Sequence, residues 1–246
     1  MKKKFILYVL LVTVVVCQSF SQDIIVNYKD YGIENNRQKV DSSFIKFLLP
    51  YSDSMKAVMN KVIGFSVDGM MKRKPESSLG NFMADAMKTM AEKKFGKKID
   101  AAFVNYGGIR YNLPKGNITV GNIYEVMPFD NLIVLQQVSG TTLRKFLNKI
   151  AGDGGWPVSG IEMGIENKQA VNILINNTPI NDSTLYTIAN SDYIANGGDD
   201  CAMLKKILSV SIGYLFRDAL IEYAGMLTAQ GKSLDVELQK RIYVAD

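Results

Sequence analysis

Four short segments of the chain combine glycine, charged and aromatic residues in the way that ligand-holding loops do. Arg73-Lys74-Pro75-Glu76-Ser77-Ser78-Leu79-Gly80-Asn81 leads into an apolar stretch, so Ser77 or Ser78 can cap a helix there while Arg73 projects from the loop before it. Asn105-Tyr106-Gly107-Gly108-Ile109-Arg110 follows the apolar run Ala101 to Val104. Its paired glycines permit a sharp turn and the close approach of a ligand, and Arg110 presents a planar fork suited to phosphate or carboxylate. Between Tyr124 and Asn131, Phe129 stands between Pro128 and Asp130, a place that suits a stacking ring better than a core one, and Asn131 offers both a donor and an acceptor. From Asn190 to Asp200, Tyr193 precedes Asp199 across a Gly197-Gly198 turn, pairing an aromatic face with a carboxylate able to hold a diol. Taken singly, each segment reads as readily as a capped helix, a plain turn, a core-edge phenylalanine or a solvated acidic loop.

The chemistry of these side chains is recognition rather than proton transfer. The 246 residues contain no histidine, which removes Ser-His and Cys-His nucleophile pairs and any two-metal centre built on imidazole. A site of carboxylates alone, for Mg²⁺ or Ca²⁺, is still open.

Met1-Lys2-Lys3-Lys4, the apolar run Phe5 to Cys17 and then Gln18-Ser19-Phe20-Ser21 have the three parts of a secretory leader, with cleavage expected after Ser21. The apolar run is too short for a membrane span. In an alternative, Cys17 is the acylated residue of a lipoprotein, against which Val16 is bulky where a small residue belongs. Three of the 29 basic residues lie in this leader, so the formal charge of +5 becomes 26 − 24 = +2 without it, and no nucleic-acid footprint is expected. Cys201 is then the single thiol, and no internal disulfide can form.

The elements that must hold the four segments follow from periodicity. Pro50 to Asn60 reads as a helix opened by its proline, with Met55, Val58 and Met59 on one face, running into a strand over Lys61 to Val67. Leu79 to Phe95 is the clearest helix, closed by Gly96, and further helices are expected at Thr141 to Ile150 and Ile212 to Thr228. Ala101 to Val104, Leu132 to Val138, Val171 to Ile175 and Leu185 to Ala189 read as strands. Helices and strands do not alternate regularly, so the expected fold is α+β, one domain with a mixed β-sheet packed by helices. Residues 1–21 are the expected signal, 22–40 a short exported segment and 41–246 the folded domain.

Taken together, Glu76 to Met87, Asn105 to Arg110, Ile118 to Asn131 and Asp192 to Asp199, with a weaker match at Val158-Ser159-Gly160, resemble in order and interval the C-terminal substrate-binding domain of the 5′-nucleotidase family, which includes UDP-sugar hydrolases and 2′,3′-cyclic phosphodiesterases. The resemblance implies that a nucleotide base lies between two rings, here Phe129 and Tyr193, the latter where phenylalanine is usual. It places Arg110, and less directly Arg73, on the phosphate or sugar side, Asn131 near the base, Asp199 on the ribose hydroxyls and Asn105 at the opening of the glycine turn. Pro75 stands where a further basic residue often sits.

Complete members of that family also resemble a two-domain hydrolase whose N-terminal metallophosphatase domain binds two metal ions through Asp, Asn and His. With no histidine, the chain is expected to carry no metal or other cofactor and to be inactive alone. The leading expectation is the recognition half of a split nucleotidase. Its ligand is a nucleotide or nucleotide sugar, and its partner is a separate exported metallophosphatase chain carrying two divalent ions. Two alternatives stand beside it: an exported nucleotide- or nucleoside-binding protein with no catalytic partner, and a degenerate interaction module. No nucleic-acid polymer and no transmembrane segment are expected, and the location is periplasmic or extracellular.

Overall fold

A computed structural model of the chain describes residues 26, 28, 29 and 41–245. The expected signal at residues 1–21, with Cys17, lies outside the described residues. The chain divides into two compact units, Met1–Phe47 and Leu48–Asp246. In the first, Asp41 Oδ1 accepts from the Ser43 amide at 2.9 Å, the Ser43 hydroxyl at 2.6 Å and the Phe44 amide at 3.2 Å. These bonds cap helix α1, Ser42–Met59, so the helix begins well before Pro50, which lies inside it. A side-chain acceptor that satisfies first-turn amides is a stronger start signal than a proline, which only removes a donor.

The second unit continues with β1 (Val62–Ser66), α2 (Ser78–Phe95), β2 (Ala101–Phe103), a 3₁₀ turn (Tyr106–Gly108), β3 (Gly116–Thr119), α3 (Val120–Val126), β4 (Leu132–Ser139) and α4 (Gly140–Gly152). Then come β5 (Val158–Ser159), β6 (Ile161–Glu166), β7 (Gln169–Ile175), β8 (Thr178–Pro179), β9 (Leu185–Ser191), α5 (Asp192–Ala195), a second 3₁₀ turn (Gly198–Asp200), β10 (Ser209–Leu215), α6 (Phe216–Ala229) and β11 (Ile242–Val244). The strands form a two-stranded sheet β1-β3, a five-stranded sheet β10-β4-β9-β2-β5 and a four-stranded sheet β11-β6-β7-β8. With parallel and antiparallel pairs in the two larger sheets, the fold is α+β with mixed sheets.

Helix α2 forms as the sequence implies. Ser77 Oγ accepts from the Gly80 amide at 3.1 Å, and Gly96 ends the helix in the left-handed region at φ 62° while its amide bonds Glu92 O. The expected helix over Ile212 to Thr228 starts later, at Phe216, because Ser209 to Leu215 pairs with β4 as an antiparallel strand. There the serine and apolar alternation of Ser209-Val210-Ser211-Ile212 has the period of a strand.

The five-stranded sheet separates two cores. Ala102, Val104, Ile133, Leu135 and Ala189 pack towards α2 and α6. Their neighbours Ala101, Phe103, Val138 and Ile188 pack towards α4, β6 and β7. Strands buried on both faces lose polar alternation, which is why β2 reads as a continuous apolar run.

The same sheet gathers the loops of interest. Strands β2 and β9 are parallel, with Ala101 opposite Ile188 and Ala102 opposite Ala189. Strand β4 runs antiparallel to β9, with Ile133 opposite Ser191. The chain leaving β2 at Asn105, the chain leaving β9 at Asp192 and the chain entering β4 at Asn131 therefore meet at one end of the sheet.

Candidate functional site

Phe129, Asp130 and Asn131 are fixed from below by the first two residues of α6. The Phe216 amide donates to Asn131 O at 2.9 Å. Arg217, only 7% exposed, donates from Nη2 to Asp130 Oδ1 at 2.6 Å and from Nη1 to Phe129 O at 3.3 Å. Its guanidinium carbon also lies 4.2 Å from the centroid of the Tyr124 ring, a cation–π contact that helps a buried charge to be tolerated. The Phe129 ring, held by its backbone, remains 40% exposed.

Asp192 ties this loop to the next. Its Oδ1 accepts from the Leu132 amide at 3.0 Å and the Tyr193 amide at 2.9 Å, so the backbones carrying the two rings share one carboxylate oxygen. Tyr193, 47% exposed, lies over Gly198, where a side-chain β-carbon would fall 2.5 Å from Tyr193 Cζ. Glycine is required there by the close approach of the ring.

Asp199 adopts φ 49°, ψ 41°, a left-handed conformation that costs a non-glycine residue energy and that clusters at functional sites. Its Oδ2 accepts from Asn105 Nδ2 at 2.9 Å, and its Oδ1 accepts from the Tyr193 hydroxyl at 2.9 Å. Asn105 is itself buried at 6% exposure. A β-carbon on Gly108 would meet Asn105 Oδ1 at 2.8 Å, so this glycine is needed for proximity and not for a positive φ. Behind the loop, burial pushes the Cys201 thiol up to about 12 while its Sγ contacts Asp199 O at 3.6 Å.

These side chains enclose a cavity of about 420 Å³ lined by Asn105, Gly107, Gly108, Arg110, Phe129, Asn131, Tyr193 and Asp199. Six of the seven residues expected from the sequence thus share one cavity. Arg73, exposed on the loop before α2, is not among its lining residues. Arg110 Nη1 donates to Gly107 O at 3.3 Å, and its guanidinium carbon lies 5.8 Å from the Phe129 ring centroid. The cavity therefore offers two rings, two amides, a carboxylate and a guanidinium, the donors and acceptors that hold a flat heterocycle, hydroxyls and an anion. It offers no Ser, Cys or His nucleophile.

Sequence reading singled out neither Arg217 nor the role of Asp192 within the Asp192 to Asp199 stretch. No local signal marks Arg217 or Asp192, since their partners lie 87 and 60 residues away. A second cavity of about 450 Å³ is lined by Lys88, Ser159, Glu162 and Arg241 among others. Its cations are already paired, Arg241 with Asp85 at 2.7 Å and Lys88 with Glu92 at 3.0 Å.

A dimetal centre does not fit the residues present. The sequence has no histidine, and among the described residues no group of three His, Cys, Asp or Glu side chains is placed to hold an ion.

The family model for the 5′-nucleotidase C-terminal domain matches residues 57–206. The trifunctional nucleotide phosphoesterase protein YfkN of Bacillus subtilis is 31% identical over 170 residues, which cover 61% of this chain and 12% of that protein. A 5′-nucleotidase of Vibrio parahaemolyticus is 29% identical over 169 residues, covering 65% of this chain and 29% of its own length. Among solved structures, the 5′-nucleotidase precursor from Thermus thermophilus matches with a TM-score of 0.71 at 27% identity, over 83% of this chain and 44% of the other. The chain spans less than half the length of each of these relatives. With the family model matching more than half of its residues, the chain belongs to the 5′-nucleotidase C-terminal domain family.

Proposed function

We propose that this chain is the nucleotide-recognition part of a 5′-nucleotidase-type hydrolase. In this reading Phe129 and Tyr193 hold the base, Asn131 reads its edge, Asp199 takes the ribose hydroxyls, and Arg110, with Arg73 from the loop before α2, serves the phosphate. The observation that carries the reading is the convergence of Asn105, Arg110, Phe129, Asn131, Tyr193 and Asp199 on one cavity. Bond cleavage is assigned to two divalent ions held outside these 246 residues, which have no histidine to hold them, and in this reading on a separate metallophosphatase chain. This chain would supply affinity and orientation.

Export is part of the same proposal. It rests on the leader-like residues 1–21 and on likeness to cell wall protein Lmo0130 of Listeria monocytogenes, 25% identical over 214 residues. Among the described residues no helix is long and apolar enough to cross a membrane.

Two measurements test the reading. Calorimetry of the purified chain with adenosine should show binding that Phe129→Ala weakens by about 1–3 kcal/mol, the worth of one base-stacking ring. A one-to-one mixture with the metallophosphatase should then hydrolyse AMP or UDP-glucose faster than the phosphatase alone. No gain in rate, with adenosine binding intact, would leave a stand-alone binding protein and remove the split enzyme.

A further inference from the structure

Most half-buried cations of the second unit face a carboxylate. Lys88 pairs with Glu92, Lys149 with Asp153, Arg217 with Asp130 and Arg241 with Asp85. Half-buried Lys72, on the Arg110 side of the cavity, does not, and neither do the exposed Lys74 and Arg110 beside it. Lys72 is half-buried, its Nζ bonded to Ile109 O at 2.8 Å and set 4.1 Å from the centroid of the Tyr106 ring. Lys74 Nζ bonds the Asp153 carbonyl oxygen and lies 4.6 Å from the centroid of the same ring. Neither lysine nor Arg110 makes an ion pair with a carboxylate among the described residues.

Of the carboxylates nearest in the sequence and the cavity, Asp153 is ion-paired with another lysine, and Glu76 and Asp199 are held by neutral donors. Asp153 takes Lys149 at 2.7 Å and Trp156 Nε1 at 3.1 Å. Glu76 accepts from Asn81 Nδ2 at 2.7 Å and the Gln239 amide at 3.0 Å. Asp199 is held by Asn105 and Tyr193. Two ammonium groups drawn to one ring, with a guanidinium beside them, repel one another, and backbone carbonyls aim them without neutralising them. Burial, then Arg110 and then Lys74 hold the Lys72 ammonium below its ordinary value. Tyr106 lies between Asn105 and Gly107, both at the cavity wall, and Ile109 directly precedes Arg110. The uncompensated charge therefore adjoins the cavity wall at Arg110.

We propose that Lys72 and Lys74, set against Tyr106 beside Arg110, form a subsite for the distal phosphates of a nucleotide, selecting ligands with two or more phosphates over monophosphates. The proposal rests on the reading of the cavity as a nucleoside site. The phosphate chain would lie along Arg110 and end between the two ammonium groups, where its charge replaces the missing carboxylates.

The test is calorimetry of the purified chain with adenosine, AMP, ADP and inorganic tripolyphosphate, on the wild type, Lys72→Gln/Lys74→Gln and Phe129→Ala, with melting curves to confirm folding. Wild type should bind ADP at least about tenfold more tightly than AMP, the worth of one charge-assisted contact, with the difference shrinking as salt rises. The double lysine variant should lose the ADP preference and tripolyphosphate binding but keep adenosine affinity. An ADP to AMP ratio unchanged by the double substitution overturns the subsite. If instead Phe129→Ala leaves adenosine affinity unchanged while the lysine variant loses tripolyphosphate, the nucleoside reading fails and the anion subsite stands. Wild-type affinity equal for adenosine, AMP and ADP overturns the subsite as well.

Discussion

The Tyr193 hydroxyl donates to Asp199 Oδ1 at 2.9 Å and accepts from the Asp199 amide at 3.3 Å, so one ring both lines the cavity and holds the carboxylate opposite its own loop. The hydrogen bond to Asp199 keeps the phenol above its ordinary value. A phenylalanine at this position would keep the aromatic face and lose the latch. Tyr193→Phe is therefore expected to leave affinity for free adenine unchanged and to weaken adenosine by about 1 kcal/mol, one hydrogen bond's worth of ordering of Asp199. Paired titrations with adenine and adenosine check this, and equal losses for both would mean that the ring, not the hydroxyl, was disturbed.

Asn105 reaches the same carboxylate from the other side, through Asp199 Oδ2 at 2.9 Å. Asp199→Asn would turn one acceptor into an amide facing these two donors. Ribose-containing ligands are expected to lose about 1–3 kcal/mol, with free bases little affected. Calorimetry on adenosine against adenine decides it, since a ribose contact predicts unequal losses.

The loops of this site are readable in the sequence because the residues that make them useful are out of place elsewhere: Phe129 between a proline and an aspartate, and Tyr193 and Asp199 around a glycine pair. Arg110 stands out for the same reason, a fork just past a glycine turn. The supports are not readable. Arg217 resembles any helix-surface arginine until the fold brings Asp130 to its Nη2 at 2.6 Å, and Lys72 and Lys74 look like solvated charge until Tyr106 is placed beside them. Among the elements, α2 announces both of its caps, whereas β5, β8 and β11, two or three residues each, are too short to carry a period. The start of α1 is misleading in the sequence because Asp41 and Pro50 both signal a beginning and only one of them satisfies amides.

Arg217 is expected to act on binding through the loop it grips. Arg217→Met keeps the buried stem and removes the donors to Phe129 O and Asp130 Oδ1. Because Asp130 is 79% exposed on its side chain, water can replace its lost partner, and the cost falls mainly on loop order. Adenosine affinity should drop by about 1–2 kcal/mol, while tripolyphosphate binding holds. Arg217→Lys should recover part of the loss, because one ammonium cannot match both arms of the fork. Full affinity in Arg217→Met would show that Phe129 is positioned without it.

Cys201 is fully buried, and burial raises its thiol to about 12. At pH 8 the thiolate fraction is then on the order of a thousandfold below that of an ordinary cysteine. Iodoacetamide should label the folded chain correspondingly slowly and the urea-unfolded chain at the usual rate, as read by mass spectrometry. Rapid labelling of the folded chain would place the loop at Asp199 to Cys201 in frequent opening.

Asp235 joins two segments distant in sequence and should dominate part of the domain's acid response. Its Oδ2 accepts from the Val67 amide at 2.7 Å, and its Oδ1 accepts from the Ser66 hydroxyl at 2.8 Å and the Asp68 amide at 3.4 Å, joining the end of β1 to the segment after α6. Burial disfavours the charge, but these donors outweigh it and hold the carboxyl below its ordinary value. A group whose folded value is depressed binds fewer protons folded than unfolded. Its stabilisation is thus complete above the unfolded value of about 3.9 and lost as pH falls through the folded one. Asp235→Asn places an amide donor against this ring of donors and should cost about 1–3 kcal/mol near neutral pH. Urea unfolding at pH 7, 4.5 and 3 should show the gap between wild type and variant narrowing only at the lowest pH, because there the unfolded wild-type chain takes up a proton that the folded carboxyl, held below its ordinary value, binds less readily. A gap that stayed constant over the series would mean that Asp235 contributes through shape alone and that its charge is not what holds Ser66 to Asp68.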